Sequence, residues 1–115
     1  MDPLDREIRE FTPKDGAWLP LEKHIEMAFQ SPNPRVYYHA LFNLFERFPE
    51  DDGAGVLWSA LHGMEAVGDY EPLLLYYFRR CPSLMTTTMI RRMHNSGRTH
   101  IGQVEIARLI KLELT

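Results

Sequence analysis

The segment His62-Gly63-Met64-Glu65 is the part of this 115-residue chain nearest to recognisable chemistry. His-x-x-Glu is half of a zinc-protease motif, in which one helix carries two imidazoles a turn apart around a glutamate base. The second histidine is missing at every required spacing, and the five histidines (24, 39, 62, 94 and 100) include no i, i+4 pair. Cys81 is alone, so neither an internal disulfide nor a cysteine-based zinc cluster can form. Beside Pro82, at the end of an apolar run, it reads as a small buried hydrophobe rather than a nucleophile. No glycine-rich loop follows a strand, and no serine sits in a nucleophile elbow. Without a surrounding cleft, His62 and Glu65 are an ordinary helical pair. The expectation is no catalytic residue, no metal site, no cofactor and no enzyme.

A plainer task for Glu65 is structural: it can offer its carboxylate to Arg91 or Arg92, or accept from Asn95, on a later helix. The charge distribution supports such pairing. Residues 1–71 hold 14 acids and 6 bases, a balance of −8, whereas residues 72–115 hold 2 acids and 7 bases, a balance of +5. Between Glu46 and Glu71 there are seven acids against Arg47 alone. That asymmetry signals either a charged partner or pairing between the two halves. The arginines at 79–80 and 91–92 fit the second role. With an overall pI near 5.9 and no helix-turn-helix or RNA-binding aromatic pattern, nucleic acid is not expected as a partner.

Residue choice then decides what positions these groups. Leucine and methionine total 20 and valine and isoleucine 10, a bias toward helix. Asn33-Pro34 predicts the capped start of a helix through Phe48, polar only along Arg35, His39, Asn43 and Glu46, and so sandwiched between neighbours. A helix over 52–67 follows, with Trp58, His62 and Glu65 on one stripe, read as more core than surface. The run Leu73–Phe78 could be a buried strand; Asp69, Glu71 and Pro72 before it and Arg79-Arg80 after it favour a helix over 71–80. Ser83 predicts a capped helix to Asn95, against the β-branched Thr86-Thr87-Thr88. Pro20–Gln30 reads as an earlier amphipathic helix, and a last one is expected from Thr99. Residues 1–17 are expected to be irregular. The fold class is all-α: five to six helices in antiparallel hairpins, a HEAT-like short helical stack in one domain over 1–115. Helix starts near 34 and 71, about 37 residues apart, suit such repeats. Tyr37, Leu41, Leu44, Leu57, Leu61, Leu74, Phe78, Met89 and Ile106 should share one core.

The longest apolar run is six residues, far short of the roughly 20 a membrane span needs. The acidic start Met1-Asp2-Pro3-Leu4-Asp5 lacks the basic-then-apolar order of a secretory signal. A cytoplasmic chain without membrane contact is the expectation.

A resemblance enters with three blocks. They are Val56-Leu57-Trp58-Ser59-Ala60-Leu61-His62-Gly63-Met64-Glu65, then Tyr70-Glu71, then Pro82-Ser83 with Met89-Ile90-Arg91-Arg92-Met93-His94-Asn95-Ser96-Gly97. Over roughly 34–112 the chain resembles the small all-helical immunity proteins that accompany bacterial polymorphic toxins, including contact-dependent growth inhibition effectors. The resemblance implies a bacterial, cytoplasmic toxin inhibitor acting by protein–protein interaction. Its partner would be a cognate toxin C-terminal domain, often a nuclease, with no small-molecule substrate. Such a nuclease carries a basic surface, which clustered acids would steer and hold. The acids Glu50, Asp51, Asp52, Asp69 and Glu71, with Tyr70 as aromatic anchor, are therefore the expected contact residues. Trp58, His62, Glu65, Arg91, Arg92 and Asn95 form the expected structural motif. A helical-repeat adaptor without a toxin is the alternative.

Overall fold

In the computed structural model, which describes residues 2–114 and the side chains as far as Lys111, the chain folds as a two-layer stack of helices. The α-helices are α1 (Pro3–Glu10), α2 (Leu19–Gln30), α3 (Tyr38–Arg47), α4 (Val56–Val67), α5 (Glu71–Arg80), α6 (Leu84–Asn95) and α7 (Ile106–Leu114). Helices α1, α3 and α5 pack side by side in one layer, and α2, α4 and α6 in the other. Consecutive members α1–α2, α3–α4 and α5–α6 form the hairpins that join the layers, and α7 closes the end against α6. The all-α, hairpin-built architecture is as the residue pattern predicts, with seven helices rather than five to six.

All nine expected core residues lie in one apolar cluster, eight of them no more than 4% exposed and Tyr37 6%. Phe42 on α3 stacks on Tyr77 of α5 at 5.1 Å and meets Phe45 edge-on at 5.8 Å, so aromatic rings fill the odd-numbered layer. In the other layer α2 and α4 approach closely at Gly63. A Cβ there would stand 2.4 Å from the ring of Phe29, so glycine sets the distance between the two helices. The capped helix from Ser83 is present: the Ser83 hydroxyl accepts from the Thr86 amide at 3.1 Å, and the Thr86 hydroxyl accepts from the Ser83 amide at 3.0 Å.

Three expectations are corrected. Within the segment expected to be irregular, residues 3–10 form α1, and only the stretch after it lacks regular helix. Asp2 caps α1, accepting from the amides of Leu4 and Asp5 at 2.8 and 3.3 Å, with Pro3 in the first turn. The helix is held from outside: the Tyr37 hydroxyl donates to Asp2 at 2.9 Å, and the Arg47 guanidinium donates to the carbonyls of Phe11 and Ile8 at 2.7 and 3.1 Å. Beyond it, Asp15 and Gly16, both at positive φ, make the tight turn of a bridge between Lys14 and Ala17. Second, Asn33 makes no side-chain cap; residues Pro34–Tyr37 form a 3₁₀ turn before α3, which aims Tyr37 at Asp2. Third, the segment after Thr99 first forms a hairpin, β1 (His100–Ile101) with β2 (Val104–Glu105), turning at Gly102 with φ +59°. A positive-φ glycine at the first turn position suits a two-residue hairpin loop, and α7 begins only after it.

Candidate functional site

Helix geometry puts Trp58, His62 and Glu65, spaced i, i+4, i+7, on one face of α4. That face looks outward rather than into the core. The Trp58 ring is half-buried at the rim of the apolar cluster, and the His62 side chain is exposed. Their rings lie 5.7 Å apart. Arg92, from α6, covers the group: its guanidinium stands 5.9 Å from the Trp58 ring centre. It also donates twice to Glu65, from Nε at 2.9 Å and Nη2 at 2.8 Å. Those hydrogen bonds to the Glu65 carboxylate are the leading reason the Arg92 guanidinium is held above its ordinary pKa. His62 approaches Glu65 only to 3.8 Å. Of the three partners expected for Glu65, the structure brings Arg92. Arg91, one residue earlier, points into a different cleft with Glu50 and Thr88. Asn95, one helical turn on, stands with Glu65 at a recess.

This recess, about 510 Å³, opens between α4, the start of α5 and the end of α6, and is walled by Glu65, Tyr70, Arg92, Asn95, Ser96 and Arg98. Tyr70 is 7% exposed. It is a wall residue, not the protruding anchor expected of it. Burial, followed by the nearby Glu65 and Glu71 carboxylates, pushes its hydroxyl pKa up against the opposing pull of Arg98 and Arg92. Arg98 and Ser96 are site residues the sequence reading missed. Their only signal was position, immediately after the Arg-x-x-Asn stretch.

The acids expected to form one contact surface fall into two groups. Glu50, Asp51 and Asp52 precede α4, and Asp69 and Glu71 follow it, so the length of a 12-residue helix, about 18 Å, lies between them. Several are engaged within the chain. Asp51 accepts from the Gly53 amide at 2.8 Å. Asp69 pairs with Arg35 at 2.8 Å, and Glu71 accepts from the Tyr70 amide at 3.3 Å and lies 4.0 Å from Arg98. The halves of opposite charge thus meet pair by pair: Glu46 with Arg80, Glu65 with Arg92, Glu71 with Arg98. Arg47, the one base in the acid-rich stretch, is the clamp on α1 described above. Glu50 remains exposed.

Cys81 is half-buried at the end of α5, facing the cleft shared with Glu50. Among the described residues, no group of three or more histidine, cysteine, aspartate or glutamate side chains is placed to hold a metal ion, and no helix is long and apolar enough to cross a membrane. The arrangement gathers an aromatic ring, a histidine and a fixed charge pair, with a polar recess beside them. Compared with family models, with curated proteins and with solved structures, the chain matches none.

Proposed function

We propose that this chain is an immunity protein: it binds a cognate toxin domain, a basic nuclease, and neutralises it by occluding its active site or substrate surface. One observation carries the reading. The residues through which the sequence resembles immunity proteins, Trp58, His62, Glu65, Arg92 and Asn95, come from separate stretches of chain and meet on one outward face. Core residues alone would account for a fold. An outward aromatic, histidine and charge-pair cluster accounts for recognition, because interface hot spots favour aromatic and arginine side chains beside well-packed recesses. The partner surface proposed here therefore shifts from Tyr70 and the paired acids toward this face, with exposed Glu50 left to act at its rim on association rate. The protein acts in the cytoplasm, by occupancy and without a catalytic step, cofactor or nucleic-acid contact.

The two-layer helical stack equally suits an adaptor for some other protein. Growth separates the readings. Where a neighbouring gene encodes a toxin domain, bacteria expressing that domain should survive only when this chain is co-expressed. Survival independent of the chain would remove the immunity reading and leave the adaptor.

A further inference from the structure

The outer side of α2 carries apolar residues that the core does not use. Leu21, Ile25 and Ala28 supply its buried face. Leu19, Lys23 and Met27, spaced i, i+4, i+8, form a stripe away from it, where Leu19 is 76% exposed and Met27 52%. The other large apolar side chains that stand out, Val36, Tyr76 and Leu84, sit singly on separate elements. Single exposed residues are ordinary surface, whereas a paired stripe along a groove is a place for a partner to dock. The groove here, about 410 Å³, is walled by Leu19, Pro20, Glu22, Lys23 and Glu26.

Charge around the stripe selects the occupant. From Lys14 to Glu26 and from Arg47 to Gly55 there are six acids (Asp15, Glu22, Glu26, Glu50, Asp51 and Asp52) against Lys14, Lys23 and Arg47, a balance of −3 with histidine neutral. The two segments are neighbours: a Cβ on Gly53 would stand 2.9 Å from the Trp18 ring, which meets Phe48 edge-on at 4.9 Å. None of the six acids is in an ion pair among the described residues, whereas acids elsewhere are, as Asp5 with Arg9, Glu46 with Arg80, Asp69 with Arg35 and Glu71 with Arg98. We propose that the α2 face from Leu19 to Met27 is a docking surface for a basic protein, which seats an apolar side chain between Leu19 and Met27 and sets lysines or arginines against Glu22 and Glu26. Glu22 accepts from the Ser59 hydroxyl at 2.7 and 3.0 Å and Glu26 from the Gln30 amide at 3.2 Å; both donors are neutral and leave the charge in place. Ser59 follows Trp58, so the stripe continues into the Trp58–Arg92 face. A second copy of the chain is a poor occupant, because its Arg35, Arg80, Arg92 and Arg98 already face their own carboxylates. The identity of the basic partner rests on the proposed function; the chemistry of the surface is separate.

The test is titration of the isotope-labelled chain with an amphipathic helical peptide of leucine and lysine, and in parallel with its leucine and glutamate counterpart, followed at the Leu19 and Met27 methyl groups at low and high salt. Saturable shifts on the α2 face with the lysine peptide, reduced by salt, on the order of tenfold weaker in Leu19→Ser/Met27→Gln and severalfold weaker in Glu26→Lys, support the proposal. All three positions are exposed, so the substitutions leave the core untouched. The proposal is overturned by no saturable shift up to the peptide's solubility limit, by equal binding of the glutamate peptide, by shifts centred on another face, or by unchanged binding in the double variant. Shifts that grow with chain concentration in the absence of peptide would assign the face to a second copy and overturn it as well. Where a neighbouring gene encodes a toxin domain, capture of that domain is measured on the same variants. Capture unaffected by Leu19→Ser/Met27→Gln sinks the docking surface and spares the proposed function, whereas peptide binding at α2 without toxin capture by the unaltered chain does the reverse.

Discussion

Removing the Glu65–Arg92 pair should cost little in stability despite its good geometry, and the structure says how little. Two parallel charge-assisted hydrogen bonds at 2.8 and 2.9 Å are the strong form of an ion pair. Burial, however, is incomplete: the Arg92 side chain is 42% exposed and that of Glu65 23%. At a charge separation of about 4 Å, the gross attraction falls from roughly 4 kcal/mol at an effective dielectric constant of 20 to roughly 1 kcal/mol in water. Ordering two long side chains opposes it further, leaving a net coupling of about 1 kcal/mol, the top of the range for exposed pairs. A buried pair would cost about 3–5 kcal/mol when broken. The assay is a double-mutant cycle of Glu65→Gln and Arg92→Met, read by urea unfolding at low and high salt. The expected coupling is about 1 kcal/mol, reduced by salt. A coupling above 3 kcal/mol, insensitive to salt, would show the pair to be desolvated. A coupling of zero would show that the fork is not held in solution.

Other outcomes follow from the packing and the caps. Gly63→Leu should lower stability by about 1–3 kcal/mol in urea unfolding, because the new side chain occupies the space of the Phe29 ring. Ser83→Ala, removing one side of a reciprocal cap on a buried residue, should cost about 1–2 kcal/mol by the same assay. The Tyr37 hydroxyl, with the Leu4 and Asp5 amides, holds the Asp2 carboxyl below its ordinary value near 3.8. A depressed carboxyl stabilises the fold above its unfolded value, and that contribution disappears as pH falls through the lower folded value. Amide-exchange protection of α1 should therefore fade in acid below that ordinary value, while in Asp2→Asn protection should be lower at neutral pH and flat across the same range.

Where burial and helix period agree, the chain could be read directly. The helix over 71–80 is as expected, because Pro72 at its start and Arg79-Arg80 at its end leave no room for a strand. The Ser83 cap likewise outweighed three consecutive threonines, since Thr86 returns the bond as the second half of the capping box. Helix α1 escaped notice because part of what holds it lies outside its own sequence, in Tyr37 and Arg47 about 36 residues further on. Its Asp2-Pro3 start carried the same cap signature assigned to Asn33-Pro34, where the side-chain cap is absent. At the site, charge and spacing foretold that Glu65 would meet a later arginine. They could not tell Arg92 from Arg91, which depends on how α6 is rotated against α4. Spacing also made Trp58 look more like core than surface, since one helical stripe does not reveal which layer it faces. Tyr70 was misjudged for a related reason: a loop position suggests exposure, but here the α4–α5 connection tucks the ring under α6.

If this chain neutralises a toxin by occupying it, as proposed, the nuclease activity of a toxin domain encoded in a neighbouring gene should respond to titration with the purified chain and with its Trp58→Ala/Arg92→Met variant. Activity is expected to fall linearly to zero at one chain per toxin, and the variant to require a large excess. Full nuclease activity at a several-fold excess of the unaltered chain would contradict the proposal.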